Sequence, residues 1–162
     1  RHIAKRKYEH EKVYSVRNGQ RVPGGKGSLR DIGTNVPLIA NWPGKIKAGS
    51  QGDALVDFSD WLPTLAELGE ARPARGIDGI SFSGALLQSP PHRARSYAFS
   101  ESRGGKAWVR TRQYKLYKDG RYFDLRVDPM EKHPLKKTTG RAAEDRELLE
   151  AAFLKLNYPG KK

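Results

Sequence analysis

Apolar and polar side chains alternate over two consecutive stretches in the last third of the chain. The first stretch is Trp108 to Lys118 and the second is Arg121 to Leu125, with Asp119-Gly120 between them. Alternation predicts β-strands, and a two-residue Asp-Gly connection is typical of a type I′ hairpin turn. Such a turn predicts three cross-strand pairs, the first two on one face and the third on the other: Leu116 with Phe123, Tyr114 with Leu125, and Tyr117 with Tyr122.

A helical pattern near the C-terminus provides a partner for this hairpin. From about Thr139 to Asn157, apolar residues recur at the spacing of one helix face: Leu149, Ala152, Phe153 and Leu156. The aromatic face of the hairpin needs a covering layer, and this helix is expected to provide it. Alternation also predicts a strand at Tyr97–Glu101. We therefore expect an antiparallel subdomain with a terminal helix over residues 96–162.

Three elements are predicted in the N-terminal part. An exposed ribbon is expected from Val13 to Val22, because Asn18-Gly19 is again a type I′ turn signal. The apolar run Val36–Trp42 predicts a buried strand. A helix capped by Asp60 is expected to end at Gly69. Its predicted apolar face consists of Leu62, Leu65, Ala66 and Leu68.

A connector rich in Pro, Gly and Arg is predicted at residues 70–95, with a short helical stretch at Ser83–Leu87. The expected division of the chain is therefore residues 1–95 and residues 96–162. The predicted strands and helices indicate the α/β class, with this chain as an α+β fragment of such a fold.

The composition limits the possible functions. The chain has 162 residues, 36% hydrophobic content, no cysteine and a formal net charge of +13. No apolar run approaches the ~18 residues of a transmembrane helix, so no membrane partner is expected. Without cysteine the chain has no thiolate ligands, and its four scattered histidines predict no zinc site. We therefore expect no metal ligands in this chain.

The excess positive charge indicates an anionic partner. Basic residues are densest in residues 1–30, where Lys5-Arg6-Lys7 lies beside Tyr8. Nucleic acid is the less favoured partner, because no helix-turn-helix, RRM, KH or zinc-finger motif occurs. A positive field also serves an enzyme whose substrate is a polyanionic glycan, since it concentrates and steers anions.

A glycine-bracketed lysine is the main chemical candidate. Gly24-Gly25-Lys26-Gly27 permits close approach of the backbone to a ligand, and the lysine offers three donors to an anion. Taken alone, a solvated surface loop is the simpler explanation. A Walker A loop is excluded, because Gln20 and Gly27 stand where it requires Gly and Ser or Thr. A serine hydrolase is set aside, since no Gly-x-Ser-x-Gly motif occurs.

Several motifs in order resemble those of the type I sulfatases. The lysine loop is followed by Asp31-Ile32-Gly33-Thr34, Val36-Pro37-Leu38-Ile39 and Trp42-Pro43-Gly44-Lys45-Ile46. Further matches are Leu62-Pro63-Thr64-Leu65 before Gly69, Ile77-Asp78-Gly79-Ile80-Ser81-Phe82, Arg110-Thr111 with Tyr114-Lys115-Leu116, and Phe123-Asp124-Leu125 with Asp128-Pro129-Met130-Glu131. The order of the motifs is the specific feature of this resemblance.

The resemblance implies both a fold and a chemistry. The expected fold is the end of an alkaline-phosphatase-like sheet followed by the antiparallel subdomain. Lys26 is expected to be catalytic, stabilising negative charge on a sulfate ester as the S–O bond breaks. Asn35 stands where relatives often carry Arg or His and is expected to contact substrate, as is Glu101 at a strand end. The implied substrate is a sulfated carbohydrate or an aryl sulfate.

The resemblance also implies parts that lie outside this chain. Type I sulfatases use a formylglycine made in a Cys/Ser-x-Pro-x-Arg motif, and a divalent cation, usually calcium, bound upstream of the lysine loop. Neither motif occurs here. The expectation is therefore the C-terminal portion of a sulfatase, inactive without its missing N-terminal domain. The family implies a periplasmic or secreted location.

Two other functions stay open at this point. Phosphate and phosphonate ester hydrolases of the same superfamily share parts of the fold, and the residues that distinguish them lie outside this chain. A non-enzymatic basic module that binds polyanions would account for the charge without catalysis.

Overall fold

The computed structural model describes residues 13–17, 19–73, 75–89 and 95–158. Its elements in chain order are β1 (Tyr14–Arg17), β2 (Gln20–Pro23), α1 (Asp31–Thr34), a 3₁₀ turn (Phe58–Asp60), α2 (Trp61–Leu68), α3 (Ser83–Leu87), β3 (Ala98–Ser102), β4 (Lys106–Arg110), β5 (Tyr114–Tyr117), β6 (Tyr122–Asp124) and α4 (Arg141–Lys155). Strands β3 to β6 form one antiparallel sheet in sequence order, and β1 pairs with β2 in a separate ribbon. None of the described helices is long and apolar enough to cross a membrane. The basic segment Lys5-Arg6-Lys7 lies outside the described residues.

Helix α4 packs on one face of the four-stranded sheet. Its buried side chains meet residues from β4, β5 and β6. This cluster consists of Leu149, Ala152 and Phe153 of α4 with Ala107, Val109, Tyr114, Leu116 and Tyr122 of the sheet. Tyr122 Oη also donates to the Ala142 carbonyl of α4 at 2.8 Å. The predicted mixed α/β fold, with an antiparallel sheet packed by the C-terminal helix, is confirmed.

The opposite face of the sheet is covered by segments from the N-terminal half. Its buried cluster consists of Ala98, Trp108, Tyr117, Phe123 and Leu125, with Leu29 and Leu55 packed against it. Because the sheet is covered on both faces, all four residues of β5 are buried, including Lys115. Each fully buried Leu or Phe side chain contributes about 1.5–3 kcal/mol.

The register of the β5–β6 hairpin differs from the prediction by one residue. Leu116 pairs with Tyr122, because the loop has three residues, Lys118 to Gly120, where two were predicted. Gly120 adopts a φ of +90°, which is typical of the last position of such a loop. A one-residue shift moves side chains to the other face of a strand. Phe123 and Leu125 therefore lie on the face opposite α4.

The stretch predicted as one strand, Trp108–Lys118, contains two strands and a turn. β4 and β5 are antiparallel neighbours joined through Thr111. Thr111 Oγ1 accepts from Tyr114 N at 3.0 Å and donates to Asp145 Oδ2 at 2.7 Å. These side-chain bonds close the turn and attach it to α4, because a hydroxyl can replace the backbone partners that a continuous strand would use.

The N-terminal ribbon forms as predicted, with Arg17 paired to Gln20. Asn18 of its predicted turn lies outside the described residues. The buried strand predicted at Val36–Trp42 is wrong. This segment has no regular structure, and Val36 and Ile39 are 67% and 89% exposed. A strand needs neighbours for its backbone hydrogen bonds and a layer over its side chains. No described strand lies beside this segment.

Helix α2 confirms the predicted helix, and Gly69 is its C-terminal cap. Asp60 occupies the N-cap position of α2 as predicted, but its side chain makes no capping hydrogen bond. Its buried carboxylate instead accepts hydrogen bonds from Arg95 and two backbone N–H groups. Burial by itself raises the pKa of Asp60, but these bonds, led by Arg95, hold it below its usual value. The predicted apolar face is wrong in part, because Leu62 and Leu65 are each 58% exposed. The short helix at Ser83–Leu87 and the strand after residue 97 form as predicted.

The packing of α4 can be tested with two adjacent residues. Phe153 is 3% exposed and lies in the core, whereas Leu154 is 66% exposed. We expect Phe153→Ala to lower the free energy of unfolding by about 3–5 kcal/mol, because it leaves a cavity. Leu154→Ala should lower it by less than about 0.5 kcal/mol. Urea denaturation measures both changes.

Hydrogen exchange adds local detail to this test. The amides of Tyr114 and Leu116, which lie under Phe153, should exchange faster in Phe153→Ala than in Leu154→Ala. Equal stability losses, with unchanged protection on β5, would contradict the packing described here.

Candidate functional site at the lysine loop

The loop that carries Lys26 is held in shape by its glycines. Ser28 N donates to the Gly25 carbonyl at 2.8 Å, which closes a turn around Lys26. A Cβ on Gly25 would lie 2.6 Å from Ile32 Cγ1, and one on Gly33 would lie 2.2 Å from the Gly25 carbonyl oxygen. The loop therefore folds back onto α1 at a distance that only glycine permits.

The three predicted site residues are all exposed. Lys26 lies in the turn and lines neither of two cavities, of about 700 and 690 Å³, in the described part of the chain. Asn35 follows α1, donates from Nδ2 to Asp31 Oδ2 at 3.0 Å and lines the first cavity. Glu101 lies on β3 opposite Ala107 and lines neither cavity. The described structure thus brings these residues into no common cavity.

Three side chains of the C-terminal half hold the backbone just after the lysine loop. Lys115 Nζ donates to the Leu29 carbonyl at 2.7 Å, and Tyr117 Oη lies 3.1 Å from the same oxygen. The Glu131 carboxylate accepts from Asp31 N, from Lys115 Nζ at 3.0 Å, and from Tyr117 Oη. We call Lys115, Tyr117 and Glu131 the clamp. It fixes the position of residues 29–31 against the sheet.

The clamp is buried, so its charges are costly unless they are paired. The side chains of Lys115 and Glu131 are 0% and 1% exposed. Burial lowers the pKa of Lys115, and the Glu131 carboxylate opposes that shift. Burial and the hydrogen bond to Glu131 raise the pKa of Tyr117 well above its usual value, so its hydroxyl remains a donor. Lys115 Nζ also lies 4.7 Å from the centre of the Trp108 ring, whose face attracts a cation.

Two further features hold residues 29–31 in place against the sheet. Glu131 adopts a φ of +54°, a left-handed conformation that costs a residue with a side chain about 1–2 kcal/mol. The three hydrogen bonds to its carboxylate offset that cost. Arg110 forms a salt bridge with Asp31, which ties the start of α1 to the end of β4.

Sequence reasoning assigned no role to the clamp. Lys115 and Glu131 are visible in two motifs, but 16 residues separate them and nothing in that spacing shows that they meet. A signal was present in β5, where a lysine interrupts a run of otherwise apolar and aromatic residues. A lysine in a strand that is buried on both faces requires a charged partner.

Known proteins with similar sequences are sulfatases. The chain is 36% identical over 87 residues to an ulvan-active sulfatase of Formosa agariphila, a match covering 54% of this chain and 17% of that protein. It is 37% identical over 98 residues to arylsulfatase A of Bos taurus, covering 57% and 19%. It is 35% identical over 114 residues to arylsulfatase A of Homo sapiens, covering 65% and 22%. No family model matches the chain.

These relatives confirm the resemblance to sulfatases that the motifs predict. The chain spans about a fifth of the length of the relatives it matches. Among solved structures, a 2-O GAG sulfatase matches with a TM-score of 0.47 and 22% identity, covering 64% of this chain and 30% of that one. A protein solved with its substrate D-glucosamine-2-N,6-O-disulfate matches with a TM-score of 0.48 and 20% identity, covering 60% and 24%. Both TM-scores are below 0.5, so the sequence relatives carry the assignment.

The clamp predicts a large difference between two carboxylates. Glu131→Gln leaves the Lys115 charge buried without a counter-charge, so we expect the free energy of unfolding to fall by about 3–5 kcal/mol. Glu150→Gln breaks only a surface pair with Arg146 and should cost less than about 0.5 kcal/mol. Urea denaturation of the chain measures both values.

A double variant shows whether the charge is the cause. Lys115→Met combined with Glu131→Gln removes both charges and should recover most of the stability that Glu131→Gln loses. A double variant as unstable as the sum of its single changes would mean that shape, not charge pairing, holds this region together.

Proposed function

We propose that this chain is the C-terminal portion of a sulfatase that hydrolyses sulfate esters of a sulfated carbohydrate or an aryl compound. The observation that carries the proposal is the 35–37% identity to sulfatases over stretches of 87 to 114 residues. In this proposal residues 1–95 complete the catalytic domain of the enzyme. Residues 96–162 form its C-terminal subdomain.

Lys26 is the catalytic residue of this chain in the proposal. Its ammonium donates to oxygens of the bound sulfate and stabilises the negative charge that grows on the sulfuryl and leaving oxygens as the S–O bond breaks. The close contacts at Gly25 and Gly33 support this role, because they hold the loop in one conformation and leave the lysine on its surface. Asn35 and Glu101 are proposed as substrate contacts, since both side chains are exposed.

The remaining chemistry is assigned to the missing N-terminal part. A formylglycine nucleophile and a divalent cation, calcium by resemblance, would complete the enzyme. Within the described ranges no three His, Asp, Glu or Cys side chains come together as metal ligands. The described residues therefore do not fit a metal site, and no step through the cation is assigned to this chain. The chain alone is therefore proposed to be inactive.

An exposed apolar surface around residues 36–58 supports the proposal that another part of the enzyme packs against this chain. Val36, Ile39 and Phe58 are exposed although they belong to a region rich in apolar residues. The first cavity, of about 700 Å³, is an open groove lined by all three of these residues and by Leu55 and Trp61. A contiguous apolar surface of this kind is typical of an interface with another domain.

This surface predicts dye binding by the isolated chain. We expect a hydrophobic dye such as ANS to bind the chain, and Val36→Ser/Ile39→Ser to bind less dye than the parent. Val127→Ser is the control, because Val127 is 82% exposed but does not line this groove. Fluorescence titration measures the difference. Equal dye binding by all three proteins would argue against an interface at Val36–Ile39.

The catalytic proposal is tested in the longer protein that contains this chain. Lys26→Ala should lower kcat/KM for a sulfate ester by about a hundredfold or more, the scale of losing one preorganised charge-stabilising group. Lys137→Ala, which removes an exposed lysine between β6 and α4 that lines neither cavity, should leave kcat/KM within about threefold. Steady-state assays on an aryl sulfate and on the matching phosphate ester separate the two hydrolase classes. Preference for the phosphate ester, or full activity of Lys26→Ala, would overturn the proposal.

A further inference from the structure

A basic groove lies beside the lysine loop and is not used by the chemistry proposed above. Its volume is about 690 Å³. Three segments form its walls: residues 27–30 after Lys26, residues 102–107 around the β3–β4 turn, and residues 117–121 around the β5–β6 turn. The groove thus begins one residue from the proposed catalytic lysine.

Positive charge dominates the lining of this groove. Its cationic residues are Arg30, Arg103, Lys106, Lys118 and Arg121, and its carboxylate is Asp119. Asp119 forms a salt bridge with Arg121 at 2.9 Å. In the part of the chain that the structure describes, the other four cations take part in no salt bridge within 4.0 Å. Lys118 Nζ lies 5.0 Å from the centre of the Tyr158 ring, whereas the exposed Arg30, Arg103 and Lys106 offer their charge to a ligand.

The groove has a fixed floor and shaped walls. The clamp holds Leu29 against Tyr117, so one edge of the groove is rigid. The β3–β4 turn contains Gly104 and Gly105 with φ values of +90° and +71°, and the Arg121 guanidinium lies 4.5 Å from the Tyr117 ring centre. A cation held against a ring loses less conformational freedom when it binds an anion than a solvated one does.

We propose that this groove binds a segment of a sulfated glycan next to the sugar that reacts at Lys26. The identity of the ligand rests on the proposed sulfatase function, whereas the location rests on the charges and the shape of the groove. Sulfate groups on a polysaccharide are spaced anions, and cations from three separate segments can contact several of them at once. The groove would increase the affinity for polymeric substrates without taking part in bond cleavage.

The lining favours a glycan over a nucleic acid. Single-stranded nucleic acids bind basic grooves through bases stacked on aromatic rings. Tyr117 is the aromatic residue of this lining, and it is 5% exposed. Its hydroxyl donates to Glu131 and lies beside the Leu29 carbonyl, and Arg121 lies against its ring. No ring is thus available for stacking among the lining residues that the structure describes.

Heparin binding to the isolated chain is the direct test. Arg103→Ala/Lys106→Ala removes two charges from one wall of the groove, and Lys136→Ala/Lys137→Ala removes two exposed charges from a loop outside it. Titration calorimetry at several salt concentrations gives the affinity and its salt dependence. We expect the groove variant to bind heparin about tenfold more weakly, with a slope of log K against log salt smaller by about 1–2. The control should change the affinity by less than about threefold.

A variant at the β5–β6 turn, another wall of the groove, completes the experiment. Lys118→Ala should weaken heparin binding further when combined with the groove variant. Equal weakening by the groove and control variants would overturn the proposal, because net charge alone would then explain binding. Single-stranded DNA that binds as tightly as heparin, with the same sensitivity to Arg103→Ala/Lys106→Ala, would overturn the glycan assignment.

The outcome is independent of the test of catalysis. Heparin binding requires no turnover, so selective loss of affinity supports the groove even if Lys26→Ala proves fully active in the longer protein. Conversely, Lys26→Ala could abolish hydrolysis while the groove and control variants bind heparin equally. That result would overturn the groove proposal and leave the sulfatase proposal intact.

Discussion

The buried ion pair between Lys115 and Glu131 is the interaction on which the arrangement of this chain depends. It lies on the sheet face opposite α4, and it is satisfied only when the backbone of residues 29–31 is present to accept from Lys115 and to donate to Glu131. A charge in this position without its partner would cost several kcal/mol. The pair therefore couples the lysine loop, the sheet and the segment after β6 into one unit.

The same arrangement recurs further along the chain. Asp60 is buried at the start of α2 and is paired with Arg95, which also donates to the Tyr97 carbonyl just before β3. In both places a charged pair, together with backbone groups, joins an N-terminal segment to the sheet region. Such pairs add little net stability compared with apolar contacts, but they specify one geometry, because only one arrangement satisfies every donor and acceptor. In this chain they position loops that apolar packing alone would leave free.

Local sequence patterns predicted the helices and strands of this fold better than the way in which these elements pair and pack. The α4 helix follows from the spacing of Leu149, Ala152 and Phe153, and the ribbon follows from its turn residues. The β5–β6 register could not be predicted, because Asp-Gly suits both two-residue and three-residue loops and only packing decides between them. The prediction of a strand at Val36–Trp42 was wrong because a strand needs neighbouring strands, and the described residues provide none beside this segment. The partner of Lys115 in the clamp could not be predicted from the sequence, because its contact with Glu131 depends on how β5 and the later loop fold together.

The internal pairs also determine where the net charge of +13 can act. Lys115, Arg110 and Arg95 are each matched by a carboxylate in the described structure, so the buried charges balance one another. Most of the other Lys and Arg side chains that the structure describes are exposed, and like charges on a surface repel and oppose compactness at low salt. Such a surface is tolerated more easily when a polyanion is bound, because the ligand relieves the repulsion that folding creates. The basic groove beside Lys26 concentrates part of this excess in one place. Binding of a polyanion should therefore raise the stability of this chain, because the ligand binds the folded state and relieves its surface repulsion.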